Sequence, residues 1–184
     1  MTLYLMRHAE AVDFDVDGAS RDADRKLTDK GRRQAKRMGI ALKRLGVQID
    51  RVLASPFVRA QETAELVVAT ARLPVKVRTL DALKPNATSD ALWAALSGAG
   101  GEGVLAVGHL PSIASLAASL LGSMAEQPLW FHKSSLAAVH CEARGNNKLH
   151  ARLEWMISPA MAKHLPGRQA SAGPSARQVT GSRP

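Results

Sequence analysis

The chain has 184 residues, 46% of them hydrophobic, enough for one domain that buries a core and still forms a cleft. Its 25 basic and 16 acidic side chains leave a net charge of +9, which points to an anionic partner without choosing among phosphoprotein, phosphate ester, nucleic acid and membrane surface. A single cysteine, Cys141, excludes an internal disulfide and a multi-cysteine metal site and suits the cytoplasm. Three Trp, three Phe and one Tyr are few for stacking nucleic-acid bases.

The apolar part of TLYLMRHAEA is too short for a secretion signal or a membrane span, so neither export nor membrane anchoring is expected. Leu3 to Met6 reads as a buried strand. Thr28 then precedes a helix with Ala35, Met38, Leu42 and Leu45 as its apolar stripe and Gly46 as its C-terminal cap. The basic residues on its other face, Lys30, Arg32, Arg33, Lys36, Arg37 and Lys43, read as a solvated surface. Arg51 to Ala54 is a second buried strand, and a helix follows Pro56 with Ala60, Ala64, Val67 and Ala71 facing inward. A β-branched piece at 75–78, a helix from Asp90 to Leu96, a strand from Val104 to Val107 and a helix opening at Pro111 continue the alternation. Two alternating segments, Leu136 to Cys141 and Leu149 to Trp155, form an expected hairpin around GNN at 145–147. Alternating strands and helices predict a single α/β domain over 1–165, a largely parallel central sheet flanked by helices. Residues 166–184, rich in Pro, Gly, Ser and Ala with three Arg and no acid, read as a disordered basic tail; without them the domain still carries +6.

Three positions share one feature. Arg7 and His8 follow the first strand, Arg59 lies one helical turn beyond Ser55-Pro56 after the second, and His109 follows VLAVG. The carboxyl ends of parallel strands open onto the ligand crevice, so these four side chains can converge. Two guanidiniums and two imidazoles suit a dianionic phosphoryl group, with helix starts at Pro56 and Pro111 adding N-terminal dipole. Ser55 reads as a support for the turn before Arg59, not a nucleophile, because no G-x-S-x-G elbow surrounds it. His132, His140, His150 and His164 lack this context and read as structural; no pair has the i, i+4 spacing of a helical metal site, and no metal or other cofactor is expected.

LYLMRHAEA at 3–11, LTDKGRRQA at 27–35, RVLASPFVRAQETAE at 51–65, VLAVGHLPSI at 104–113 and WMISPAMAK at 155–163 together resemble the histidine phosphatase superfamily, in its small SixA-type phosphohistidine phosphatase branch. The resemblance implies that His8 is the nucleophile and is transiently phosphorylated, while Arg7, Arg59 and His109 hold the transferred phosphoryl. A neutral imidazole, with an ordinary pKa of about 6.5, is available for attack near neutral pH, and flanking arginines favour that neutral form.

The chain also departs from the wider pattern. RHA stands where the superfamily usually has RHG, as in the SixA branch; Phe14 replaces an Asn that assists phosphate binding in larger relatives; and Ala82 falls where esterase members carry an acidic proton donor. Candidate donors are Glu10, Asp13 and Asp81. Between Val77 and Val104 there is room for one helix and loops, not for the large lid that encloses small substrates. An open site without a strong acid suits phosphohistidine on a protein, such as a histidine phosphotransfer domain of a bacterial relay. Two alternatives stand beside this reading: a phosphomonoester or sugar-phosphate phosphatase of the same superfamily, and a non-catalytic module binding phosphoprotein or nucleic acid. The intact His8 and arginines disfavour the module, and nucleic acid with it.

Overall fold

In the computed structural model, which describes residues 1–14, 21–122, 129–144 and 148–166, the strands are β1 (Thr2–Arg7), β2 (Arg51–Ala54), β3 (Val77–Thr79), β4 (Gly103–Gly108), β5 (Leu136–Arg144) and β6 (Lys148–Ile157). They form one sheet in the order β3-β2-β4-β1-β5-β6. The four on the β3 side run parallel; β5 and β6 are antiparallel to their neighbours, so the sheet is mixed at that edge. The central strands are the most apolar: all six residues of β4 and Leu3 to Met6 of β1 are buried, as continuous runs covered on both faces must be.

Helices α1 (Asp29–Leu45), α2 (Val58–Ala71) and α5 (Pro159–Ala162) cover one face, α3 (Ser89–Gly98) and α4 (Ser112–Leu120) the other. Thr28 caps α1 by accepting from the Gly31 N–H at 3.0 Å, a contact worth about 1 kcal/mol. Gly46, at φ 67°, ends it by donating to the Leu42 and Lys43 carbonyls. Leu45 departs from the expected stripe: it is 41% exposed, and the buried face consists of Gly31, Ala35, Met38, Gly39, Ala41 and Leu42. Glycines substitute for bulk because α1 approaches its neighbours closely. A Cβ on Gly39 would stand 2.8 Å from the Thr70 side chain and 2.9 Å from the Val67 carbonyl of α2.

The other expected elements occur with shifted ends. The strand predicted at 75–78 is β3, which starts two residues later, and Pro111 is the cap residue before α4, not part of its first turn. In α2 the four predicted inward residues are all buried. Between β3 and β4 the chain makes only a 3-10 turn at Asp81–Leu83 and α3, whose Leu92 and Leu96 are locked in the core; that stretch builds no lid. β5 and β6 pair from Leu136 with Ile157 to Arg144 with Lys148, while the GNN turn lies outside the described residues. So does the expected basic tail, except Pro166.

Candidate active site

β1 and β4 lie side by side with Arg7 opposite Gly108, and β2 flanks β4 with Ala54 opposite Val107. Their carboxyl ends open at one place, where His8, Ser55 and His109 follow the strands and Arg59 arrives from the first turn of α2. The His8 and His109 rings are 4.9 Å apart, and Arg59 Nε lies 3.3 Å from His8 Nε2. Arg7, the last residue of β1, donates from Nη1 to the Phe131 carbonyl at 2.9 Å. His8, Arg59 and His109 are buried at 9%, 5% and 3% exposure.

Backbone contacts hold His8 on both sides. Its N–H donates to the Gly108 carbonyl and its carbonyl accepts from Ser134 N–H. The next residue, Ala9, donates to Thr63 Oγ1, and that hydroxyl donates to the Arg59 carbonyl at 2.6 Å. Thr63 therefore joins the loop after β1 to the helical turn that carries Arg59.

The hydrogen bonds assign the His8 tautomer. Nδ1 lies 2.6 Å from the Ala9 carbonyl, which can only accept, so Nδ1 carries the proton and Nε2 presents its lone pair. Arg59 Nε–H donates to that lone pair. Desolvation, then the neighbouring His109, Arg59 and Arg7, depress the His8 pKa to about 3 against a weaker opposing effect of the Ala9 carbonyl. His109 falls to about 3 as well, through desolvation and then Arg59 and Arg7. Both rings are thus neutral near pH 7.

Two buried nitrogens of the cluster have no hydrogen-bond partner among the described residues. His109 Nε2 is 2.9 Å from Ser55 Oγ, but among the described residues its buried Nδ1 has no hydrogen-bond partner, and neither has buried Arg7 Nε. Such groups cost stability unless an acceptor meets them, and an oxyanion is the acceptor that suits a guanidinium. Ser55 also accepts from the Phe57 N–H at 3.3 Å, the turn-supporting role expected of it. The Phe57 ring packs 5.1 Å from the His109 ring and 4.9 Å from the Arg59 guanidinium carbon.

The three candidate proton donors point to other partners. Glu10 pairs with Lys30 at 2.7 Å and accepts from Thr28, and the Lys30 hydrogen bond foremost holds it below the ordinary carboxylate range. Asp13 is 95% exposed, 3.9 Å from Arg25, and Asp81 pairs with Lys84 at 3.0 Å. The carboxylate that does reach the cluster is Asp22, at the start of a 3-10 turn (Asp22–Asp24). It accepts from Arg59 Nη2 at 2.9 Å and from Arg25 Nη1 at 2.8 Å, and its backbone carbonyl accepts from Arg59 Nη1 at 2.6 Å. Burial opposes its charge, yet the bonds from Arg25 and Arg59 prevail and lower its pKa. Asp22, Thr63 and Phe57 were absent from the sequence reading. Thr63 and Phe57 lie within the SPFVRAQETA motif that marked Arg59, whereas nothing in the charged run RDADR singles out Asp22. Among the described residues no group of three or more His, Cys, Asp or Glu is placed to hold a metal ion.

An uncharged imidazole whose Nε2 lone pair is turned toward a guanidinium, at the ends of the strands, is the equipment of covalent phosphoryl transfer through histidine. Residues 3–84 match the family model described as "Histidine phosphatase superfamily (branch 1)". The chain belongs to that superfamily and is a phosphatase with a histidine nucleophile. It is 35% identical over 166 residues to the phosphohistidine phosphatase SixA of Escherichia coli strain K12, covering 89% of this chain and 97% of that one. It also superimposes on the structure of the protein histidine phosphatase SixA complexed with tungstate, with a TM-score of 0.72 and 33% identity over 88% of this chain and 99% of the other. A third relative is the putative phosphohistidine phosphatase SixA from Agrobacterium tumefaciens, at a TM-score of 0.69 and 26% identity, covering 86% and 97%.

Proposed function

We propose that this protein removes phosphate from phosphohistidine on another protein, through a covalent intermediate on His8. The observation that carries the reading is the orientation of His8: its Nδ1–H is committed to the Ala9 carbonyl, leaving the Nε2 lone pair against Arg59. Nε2 attacks phosphorus and the substrate imidazole leaves. Arg7, Arg59 and His109 receive the equatorial oxygens, where preorganised donors stabilise the charge spread in transfer. A water then attacks the phospho-His8 phosphorus, inorganic phosphate departs and the Nε2 lone pair returns.

The substrate class follows from the leaving group. An alcohol, with a pKa near that of water at about 15.7, must be protonated as it departs, whereas an imidazole whose conjugate acid has a pKa of about 6.5 leaves readily. Glu10, Asp13 and Asp81 are paired with Lys30, Arg25 and Lys84, which supports a reaction that does not demand a strong acid. The missing lid between β3 and β4 suits a site that accepts a histidine projecting from a folded surface, such as a histidine phosphotransfer domain. A free, buried Cys141 fits the reducing cytoplasm, where such signalling partners work; no described helix is long and apolar enough to cross a membrane.

The test is to offer one purified sample phosphohistidine protein and a panel of phosphate esters. We expect turnover of the phosphohistidine protein, acid-labile label on His8 after brief incubation, and neither in His8→Ala. Label on Ser55 or Asp13, or wild-type activity in His8→Ala, would overturn the scheme.

A further inference from the structure

Asp22 occupies an unusual position for a carboxylate in an anion-binding site. Arg59 has two forks of donors: the end of the guanidinium, Nη1 and Nη2, and its side edge, Nε and Nη2, whose N–H bonds run parallel. Nε–H faces His8 Nε2 at 3.3 Å, and Nη2, the other nitrogen of that side edge, donates to Asp22 Oδ2 at 2.9 Å. A phosphoryl group transferred to His8 Nε2 places its oxygens in front of that same edge, where both N–H bonds would serve it. The carboxylate thus holds one of the two nitrogens that a phosphoryl group on His8 would use.

We infer that Asp22 is a displaceable internal anion that competes with phosphate for Arg59 and so keeps the affinity for the free product low. This rests on the reading that the phosphoryl group is received between His8 and Arg59. Displacement needs no unfolding of the turn. Asp22 Oδ1 already accepts from Arg25 Nη1 at 2.8 Å, so the carboxylate has a second cation to rest on when Oδ2 leaves. The Asp22 backbone carbonyl holds Arg59 Nη1 throughout, keeping the guanidinium aimed at His8. Asp22 is half exposed, with 50% of its side chain open to water, and can swing. A phosphoprotein adds its own docking contacts and can displace the carboxylate; free phosphate has none to add, and after hydrolysis Asp22 returns and helps to expel it. Asp22 is in this sense a specificity-determining residue, discriminating docked phosphoryl groups from the phosphate dissolved around the enzyme.

Calorimetric titration of the full chain with inorganic phosphate tests the inference at fixed pH and ionic strength. Asp22→Asn keeps the backbone and the shape but loses the charge, and should bind phosphate about three- to tenfold more tightly, the gain from removing a half-exposed ionic competitor. Asp24→Asn removes an equal charge from the same turn, where the carboxylate pairs with exposed Arg21, and should change the affinity less than about twofold. Equal tightening by both variants would mean a general charge effect and would overturn the inference. So would unchanged phosphate binding in Asp22→Asn, or a hundredfold fall in its kcat with no tightening, which would mark Asp22 as a proton-transfer group. Arg59→Ala separates the underlying reading: if it binds phosphate as well as wild type, phosphate does not sit on Arg59, and the site assignment fails together with the inference. If binding depends on Arg59 but not on Asp22, the inference alone fails.

Discussion

The neutral imidazole pair makes stability depend on pH in a direction that geometry dictates. His8 and His109 titrate at about 3 in the folded protein, chiefly through desolvation, against about 6.5 in an unfolded chain. Both folded values are depressed, so between about pH 3 and 6.5 the unfolded state binds more protons. Their stability is complete above pH 6.5 and is lost progressively as pH falls through that window. At pH 5 the unfolded histidines are almost wholly protonated while the folded ones remain neutral, which costs about 2 kcal/mol per ring, or about 4 kcal/mol for the pair. That is a large share of a typical total of about 5–15 kcal/mol. Urea unfolding at pH 7.5 and 5.0 should be compared between wild type and His8→Gln/His109→Gln, whose amides stay neutral throughout. Wild type should lose about 4 kcal/mol more than the double variant on acidification, since all other groups cancel in the difference. Equal losses would show that the two imidazoles are not held neutral by the fold, and the account of His8 as an unprotonated nucleophile would go with it.

Three further outcomes follow from particular contacts. Gly31→Ala should destabilise the protein by about 1–3 kcal/mol in thermal or urea unfolding, because the new methyl would be driven into the Glu10 carbonyl two residues beyond His8; unchanged stability would mean that α1 can shift freely. Arg59→Ala and His109→Ala should each lower kcat/KM by about 30- to 1000-fold, the usual effect of removing a charge-stabilising donor, and full activity in either would place that residue off the reaction path. Reactivity should rise as the leaving-group pKa falls, with phosphohistidine and aryl phosphates ahead of sugar phosphates by orders of magnitude. Replacing Glu10, Asp13 or Asp81 by its amide should alter the favoured reactions little. Sugar phosphates hydrolysed as fast as phosphohistidine, with one amide variant blocking only the ester reaction, would establish the esterase alternative.

Much of this protein is legible in one dimension because its determinants are local. Apolar runs over Leu3–Met6 and Val104–Val107 read as strands buried on two faces and are so, and Thr28 and Gly46 bracket α1 through contacts that reach no more than four residues. The order of strand ends, with Arg7-His8, Ser55 and His109 placed directly after them, was enough to nominate the cluster. Other properties belong to the tertiary structure alone. Leu45 fits the helical period yet is exposed, because periodicity names a face and not the width of what covers it. The lone pair on His8 Nε2 depends on how its ring turns toward the Ala9 carbonyl, and the neutrality of both imidazoles depends on burial that no motif encodes. Asp22 meets Arg59 across 37 positions of sequence, from a charged run whose pattern is that of any solvated loop. Apolar burial repeats along the chain and can be read from it, whereas the pairing of a particular donor and acceptor is decided only when distant segments are packed together.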